Sequence, residues 1–188
     1  MAANDYHFVT TWRIAATADE IGDILSDAAG LARWWPSVYR DVRVLESGDE
    51  RGLGKRVELW TKGWLPYTLR WRFRVTESNP PSGFTIAATG DFEGTGAWTL
   101  IQERGPHDPD GPLTQVTYEW RISAEKGLLR RFSALAKPVF AANHRWAMER
   151  GEESLRLEIA RRHAADDPSV LAALPAPPRA TFGFLTRR

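Results

Sequence analysis

The chain has 188 residues, with 25 Lys and Arg against 24 Asp and Glu, a formal net charge of +1, and no cysteine. A domain of that size buries roughly 70% of its unfolded surface and needs no metal or disulfide to fold, and the missing thiols exclude disulfides, thiolate catalysis and Cys-based zinc sites. Near-neutral charge argues against a dedicated nucleic-acid binder, and no apolar run reaches the roughly 20 residues of a membrane span.

The first residues lack a basic segment followed by an apolar stretch, so no secretion signal is expected and the cytoplasm is the default location. Residues 6–14 place Phe8, Thr10, Trp12 and Ile14 on one strand face. A capping box follows, with Thr17 as N-cap and Glu20 three residues on, and Ile21, Ile24 and Leu25 continue at helical spacing. Ala28 to Trp34 reads as a second short helix, ended by Trp35-Pro36 because a residue before proline resists helical angles. Trp34 and Trp35 are therefore either a packing plug or a gate at the mouth of a cavity.

From Val38 the period changes to two. Residues 38–46 and 55–62 read as strands, with Trp60 on an outer face beside Glu58 and Lys62. In residues 66–77 the alternation is plainest: Tyr67, Leu69, Trp71, Phe73 and Val75 face inward, and Arg70, Arg72 and Arg74 form an outer ladder expected to meet Glu residues in solvent. Strands at 84–90 and through DFEGTGAWTLIQE come next, the latter with a glycine-rich bend near Glu93 and with Trp98 inward. Gln115–Ser123 alternates again, with Val116, Tyr118, Trp120 and Ile122 inward.

Leu128 to His163 has helical character. Leu128, Phe132, Leu135, Val139, Asn143, Ala147, Gly151 and Leu155 lie on one stripe, and Pro138 should kink or divide the helix because it lacks an amide donor. After His163 the composition turns to Ala and Pro. The expected organisation is one domain over residues 1–163 and a tail over 164–188 with no core of its own. The class is α+β: a curved seven-stranded antiparallel sheet around a long C-terminal helix, with two short helices after the first strand.

Four stretches, LARWWPSVYRDVRVLE, TKGWLPYTLRWRFRVTE, GDFEGTGAWTL and NHRWAMERGEESLRLEIARR, together with this element order, resemble the START-like helix-grip superfamily and its polyketide cyclase/dehydrase and lipid-transport families. The resemblance spans residues 6–163. It implies a cavity under the last helix that takes a hydrophobic molecule, with some relatives catalysing cyclisation or dehydration and others only carrying a ligand.

Nine Trp, eight Phe and four Tyr are a large aromatic inventory, suited to a tight core or to cavity walls. The expected ligand-binding residues are Tyr67, Leu69, Trp71, Phe73, Trp98, Tyr118, Trp120, Val139, Asn143 and His144. His144, Tyr118 and Glu93 are the catalytic candidates, as groups able to move protons, although Glu93 shares its strand face with Thr95 and Thr99 and fits solvent better. His7, His107 and His163 are dispersed, and no metal, nucleotide or other cofactor is expected. Three functions stay open: binding or transport of a lipid-, isoprenoid- or polyketide-like molecule, a cyclase/dehydratase enzyme, and a regulatory partner-binding module using Phe182, Phe184 and Leu185. Non-catalytic binding is favoured, and a homodimer is left open.

Overall fold

The computed structural model describes residues 5–124 and 127–181; side chains from 124 to 136 fall outside that description. Strand β1 (Asp5–Ile14) leads into helix α1 (Ala18–Ser26), a 3-10 turn (Ala28–Gly30) and the short helix α2 (Leu31–Trp34). Six further strands follow: β2 (Tyr39–Glu46), β3 (Arg56–Lys62), β4 (Thr68–Asn79), β5 (Gly83–Gly90), β6 (Phe92–Arg104) and β7 (Leu113–Ala124). Helix α3 (Gly127–His163) and the short α4 (Pro168–Ala173) complete the chain.

All seven strands form one antiparallel sheet in the order β1-β7-β6-β5-β4-β3-β2, curved around α3. The order follows from the turns. Every consecutive pair from β2 to β7 is a direct neighbour, while β1, separated from β2 by α1 and α2, closes against β7 at the other edge. The alternation read in β4 holds: Trp71, Phe73 and Val75 are buried, whereas Arg70, Arg72 and Arg74 are exposed. The expected outer Glu partners are also present, since Arg72 donates to Glu58 at 2.8 and 2.6 Å and that bonding holds the Glu58 carboxyl below its ordinary range. Arg70 instead lies over the Trp60 ring at 5.1 Å.

Side chains fix the helices against one end of the sheet. The Thr17–Glu20 capping box forms as expected, Ala18 donates its amide to Gln102 Oε1 at 2.7 Å, and the buried Thr114 hydroxyl donates to the Ala16 carbonyl at 2.7 Å. Arg33 forks onto Glu158 at 2.7 and 2.9 Å, joining α2 to α3, and His163 meets Glu20 at 2.6 Å, joining α3 to α1. Helix α3 is not divided at Pro138; it runs unbroken from residue 127 to 163. The side chains of Leu128, Phe132 and Leu135, expected on its inner stripe, lie outside the described set.

Beyond α3, Ala164 is buried, but no residue of α4 is. The chain then lies along the domain, where Arg161 donates to the Pro175 carbonyl and the Thr181 hydroxyl to the Trp64 carbonyl at 3.4 Å. Phe182, Phe184 and Leu185 lie outside the described residues. No described helix is long and apolar enough to cross a membrane.

Candidate functional site

A hollow of about 170 Å³ lies between the concave face of the sheet and α3. Its walls come from one end of each contributing strand: Tyr6 and Phe8 of β1, Leu69 and Trp71 of β4, Phe92 and Trp98 of β6, and Tyr118, Trp120 and Ile122 of β7. Phe140, Asn143, His144, Ala147 and Met148 of α3 form the roof, at spacings of three and four that keep them on one helical face. Trp35, Val38, Tyr39, Thr61, Lys62, Gly63 and Tyr67 close the side nearest α2.

The rings form a continuous belt. Tyr39 meets Trp35 edge-on at 5.3 Å, Trp35 meets Trp12 at 6.2 Å and Trp12 meets Trp98 at 5.5 Å. Trp98 stacks on Tyr118 at 4.2 Å, Tyr118 on Trp120 at 5.7 Å, and Trp120 contacts Trp71 at 5.7 Å. Offset and edge contacts at these spacings lock rings whose sizes alone would let them shift. Two glycines make room for the belt. A Cβ on Gly96 would stand 2.7 Å from both the Trp120 ring and the Tyr118 hydroxyl, and one on Gly151 of α3 would overlap the Trp35 ring.

Polar atoms within this apolar wall are few. Trp71 donates Nε1–H to the Thr61 hydroxyl at 3.0 Å, and Leu65 donates its amide to Asn143 Oδ1 at 3.4 Å. Tyr6 Oη, Trp35 Nε1 and His144 Nε2 are buried and have no protein partner. Burial raises the phenols of Tyr39 and Tyr118 well above their ordinary range and that of Tyr67 to about 12, so all three are donors at neutral pH. His144 stacks on Phe8 at 4.3 Å, and its burial lowers its pKa to about 4. At pH 7 it is a neutral imidazole, and its proton exchange is moved out of the neutral range where the sequence had placed it.

Of the residues expected to contact a ligand, Tyr67, Leu69, Trp71, Trp98, Tyr118, Trp120, Asn143 and His144 line the hollow. Phe73 and Val139 do not: Phe73 is buried one step farther along β4, and Val139 is 41% exposed. Trp35 lines the hollow, whereas Trp34 is 1% exposed and does not line it. Glu93 is exposed and stands away from the cavity, as its companions Thr95 and Thr99 suggested. Tyr6, Tyr39 and Lys62 were not anticipated in the site. Tyr6 continues the inward face of β1 and was legible by alternation. Lys62 was not legible, because alternation puts it outside with Trp60, whereas at the end of β3 it is 3% exposed and lines the hollow. Among the described residues no cluster of three or more His, Asp or Glu could hold a metal ion.

Residues 6–158 match the family described as polyketide cyclase / dehydrase and lipid transport. No curated protein matches the sequence. Among solved structures, the Zhui aromatase/cyclase from Streptomyces sp. R1128 superposes with a TM-score of 0.67 at 19% identity, over 87% of this chain and 98% of that one. The di-domain ARO/CYC BexL from the BE-7585A biosynthetic pathway gives 0.56 at 15% identity, over 82% of this chain and 50% of that one. A norcoclaurine synthase point mutant from Thalictrum flavum, in complex with a transition-state analogue, gives 0.53 at 14% identity, over 82% and 96%. At such identities these likenesses establish the helix-grip fold.

Proposed function

Because the chain belongs to the polyketide cyclase / dehydrase and lipid transport family, we propose that it binds a flat, largely apolar small molecule in the hollow between the sheet and α3, with Tyr67, Leu69, Trp71, Trp98, Tyr118, Trp120, Asn143 and His144 among its contacts. The observation that carries this reading is the aromatic belt around a space that the side chains leave unfilled. Protein interiors are normally packed to crystal density, so an open apolar space of this size has a reason to persist when a ligand fills it. Burying roughly 150–250 Å² of apolar ligand surface is worth about 4–6 kcal/mol before the costs of association. Affinity should therefore lie in the micromolar to millimolar range unless polar contacts add to it.

Thermal denaturation of the full chain with a graded series of naphthol and anthraquinone derivatives tests the reading. Saturable stabilisation is expected, growing logarithmically with free ligand above its Kd. A flat response across the series, including compounds that fit the volume, would remove ligand binding as the function.

A second reading, catalysis of cyclisation or dehydration, is favoured by one observation: the Nε2 atom of His144 is buried at the wall without a protein partner. A neutral imidazole there can accept a proton from a held substrate while the Tyr118 phenol donates to a carbonyl oxygen. Turnover of candidate poly-carbonyl substrates by the wild type and by His144→Ala separates the two functions. Equal non-zero rates would remove His144 from the mechanism, and no turnover by either protein would leave binding alone.

A further inference from the structure

The hollow is closed differently on its two flanks. On the β1 flank four rings form a seal: Tyr6 stacks on Phe8 at 5.9 Å, Phe8 on His144 at 4.3 Å, and Tyr6 meets Phe140 edge-on at 5.6 Å. On the other flank the closure is the tip of the β3–β4 hairpin. Lys62 is registered opposite Thr68, and the residues between them, Gly63 to Tyr67, reach α3, with Gly63 and Tyr67 lining the hollow. The tip meets α3 at Asn143, whose Oδ1 accepts from the Leu65 amide at 3.4 Å. The approach is so close that a Cβ on Gly63 would overlap the Asn143 amide group, 2.6 Å from its Cγ. A 3.4 Å bond is long beside the usual distance of about 2.9 Å, so a weak polar link holds this flank where packed rings hold the other.

The same tip carries the end of the described chain, a segment outside the residues that match the family. After α4, Leu174 takes φ −71° and ψ 132°, which are polyproline II angles, and Pro175, Pro177 and Pro178 follow. A proline-rich segment is a semi-rigid spacer of about 3.1 Å per residue, so residues 174–181 span roughly 20 Å with little slack. Both ends are anchored. Arg161 of α3 donates to the Pro175 carbonyl, and the Thr181 hydroxyl donates to the Trp64 carbonyl of the hairpin tip at 3.4 Å. Leu174, Pro177, Pro178, Ala180 and Thr181 are half-buried. Between the anchors the segment packs loosely: Ala176, Pro177, Arg179 and Ala180 share an open cleft with Pro36 and Arg40, which follow the lining residues Trp35 and Tyr39 in sequence.

We infer that residues 63–67 are the lid through which a ligand enters the hollow, and that the C-terminal segment is a strap that holds this lid shut. The tip has one link to the roof helix and one to the strap, both long and therefore weak. Releasing the strap leaves the tip with its Asn143 link, so the open state becomes more populated and ligand passes faster in both directions. The strap supplies no residue to the cavity wall, so while the open state stays minor its release changes rates more than affinity. Whatever draws residues 174–181 off the domain thereby controls access. This inference rests on the hollow being a ligand site, but the strap's hold on the tip is measurable without any ligand, so the two fail separately.

Two measurements on the full chain supply the test. In the ligand-free protein, Arg161→Met with Thr181→Val removes both anchors, and hydrogen exchange at the Trp64 and Leu65 amides should quicken about threefold to tenfold while β7 is unaffected. In the same variant the rates of 2-naphthol binding and release, followed by stopped-flow quenching of tryptophan fluorescence, should rise by a similar factor, with Kd altered less than about twofold. Locking the lid should do the reverse. The chain has no cysteine, so Gly63→Cys with Asn143→Cys introduces a single defined pair. Its oxidised form should take up and release 2-naphthol at least about tenfold more slowly than its reduced form. Comparing two redox forms of one protein cancels any effect of the substitutions on affinity, and where the pair fails to fold or bridge, the Arg161 and Thr181 double variant decides. Unchanged exchange at Trp64 and Leu65 overturns the strap. Faster amide exchange with unchanged 2-naphthol rates, or equal rates in the oxidised and reduced forms, overturns the lid and leaves the ligand site intact. Absence of 2-naphthol binding by the wild type overturns the lid together with the ligand reading, while amide exchange still judges the strap.

Discussion

Two ends of the same concave sheet are built to different ends. Where α1 and α2 dock, Ile14, Ile21, Ile24, Val57, Leu59, Val116 and Leu155 are each at most 1% exposed and belong to one buried cluster. A few residues away on the same strands, Tyr6 and Phe8, Leu69 and Trp71, and Tyr118 and Trp120 surround a void. Along β7 the inward positions pass from Trp120 and Tyr118 to Val116 and Thr114, and along α3 the inner stripe passes from Phe140, His144 and Met148 to Leu155 and Ile159. The difference shows how one fold supplies stability and a site together. At one end three helices share the burial of the sheet, and branched aliphatics interlock between them. At the other, α3 alone spans the gap, and rigid rings stand as walls because no other element lies beneath to fill it.

The sharpest way to break this contrast is to cut one side chain from each end. Leu155→Ala should cost about 3–5 kcal/mol, because a residue with no exposure leaves a new cavity among unyielding neighbours. Met148→Ala, which borders space already empty, should cost about 2 kcal/mol or less. Urea denaturation with unchanged m-values measures both; equal losses would mean that the hollow end is packed as tightly as the solid one.

Acid sharpens the same contrast through His144. Its folded pKa of about 4 lies below the ordinary value of 6.5, so between those values the unfolded chain binds a proton that the folded chain refuses. Stability from this group is therefore complete above pH 6.5, falls as the pH drops toward 4, and loses nothing further below it. The slope is at most about 1.4 kcal/mol per pH unit, roughly 3 kcal/mol over the whole window. His144→Gln should flatten that part of the profile of melting temperature against pH. An unaltered profile in the variant would show that His144 is solvated in the folded state.

The smallest effect is expected at Tyr118. Tyr118→Phe keeps the stacked ring against Trp98 and removes a hydroxyl at the cavity wall, so stability should change by less than about 1 kcal/mol. Binding of any carbonyl-bearing ligand should weaken by more than stability does. A large loss of stability would make that hydroxyl part of the structural core and not of the site.

Much of this was legible in single residues. The Thr17–Glu20 capping box, the Trp35-Pro36 stop, the alternation of Tyr67 through Val75 and the helical stripe through Asn143 and Leu155 are local patterns, and each reports which face of an element turns inward. Period two and period 3.6 are properties of the backbone, so the chain carries them in its own order of residues. The class, the seven strands and the eventual roof over the sheet were determined at that level.

Which inward residues border the hollow was decided only by tertiary structure. Phe73 and Trp71 have the same parity on β4, yet only Trp71 reaches the cavity; Trp34 and Trp35 are adjacent, yet only Trp35 does. Lys62 was turned from the expected outer face to the cavity wall at the end of β3. In each case the outcome depends on where α1, α2 and α3, distant in sequence, stop covering the strand. Sequence alternation sets the direction of a side chain, whereas its depth along the sheet is set by what other elements leave uncovered.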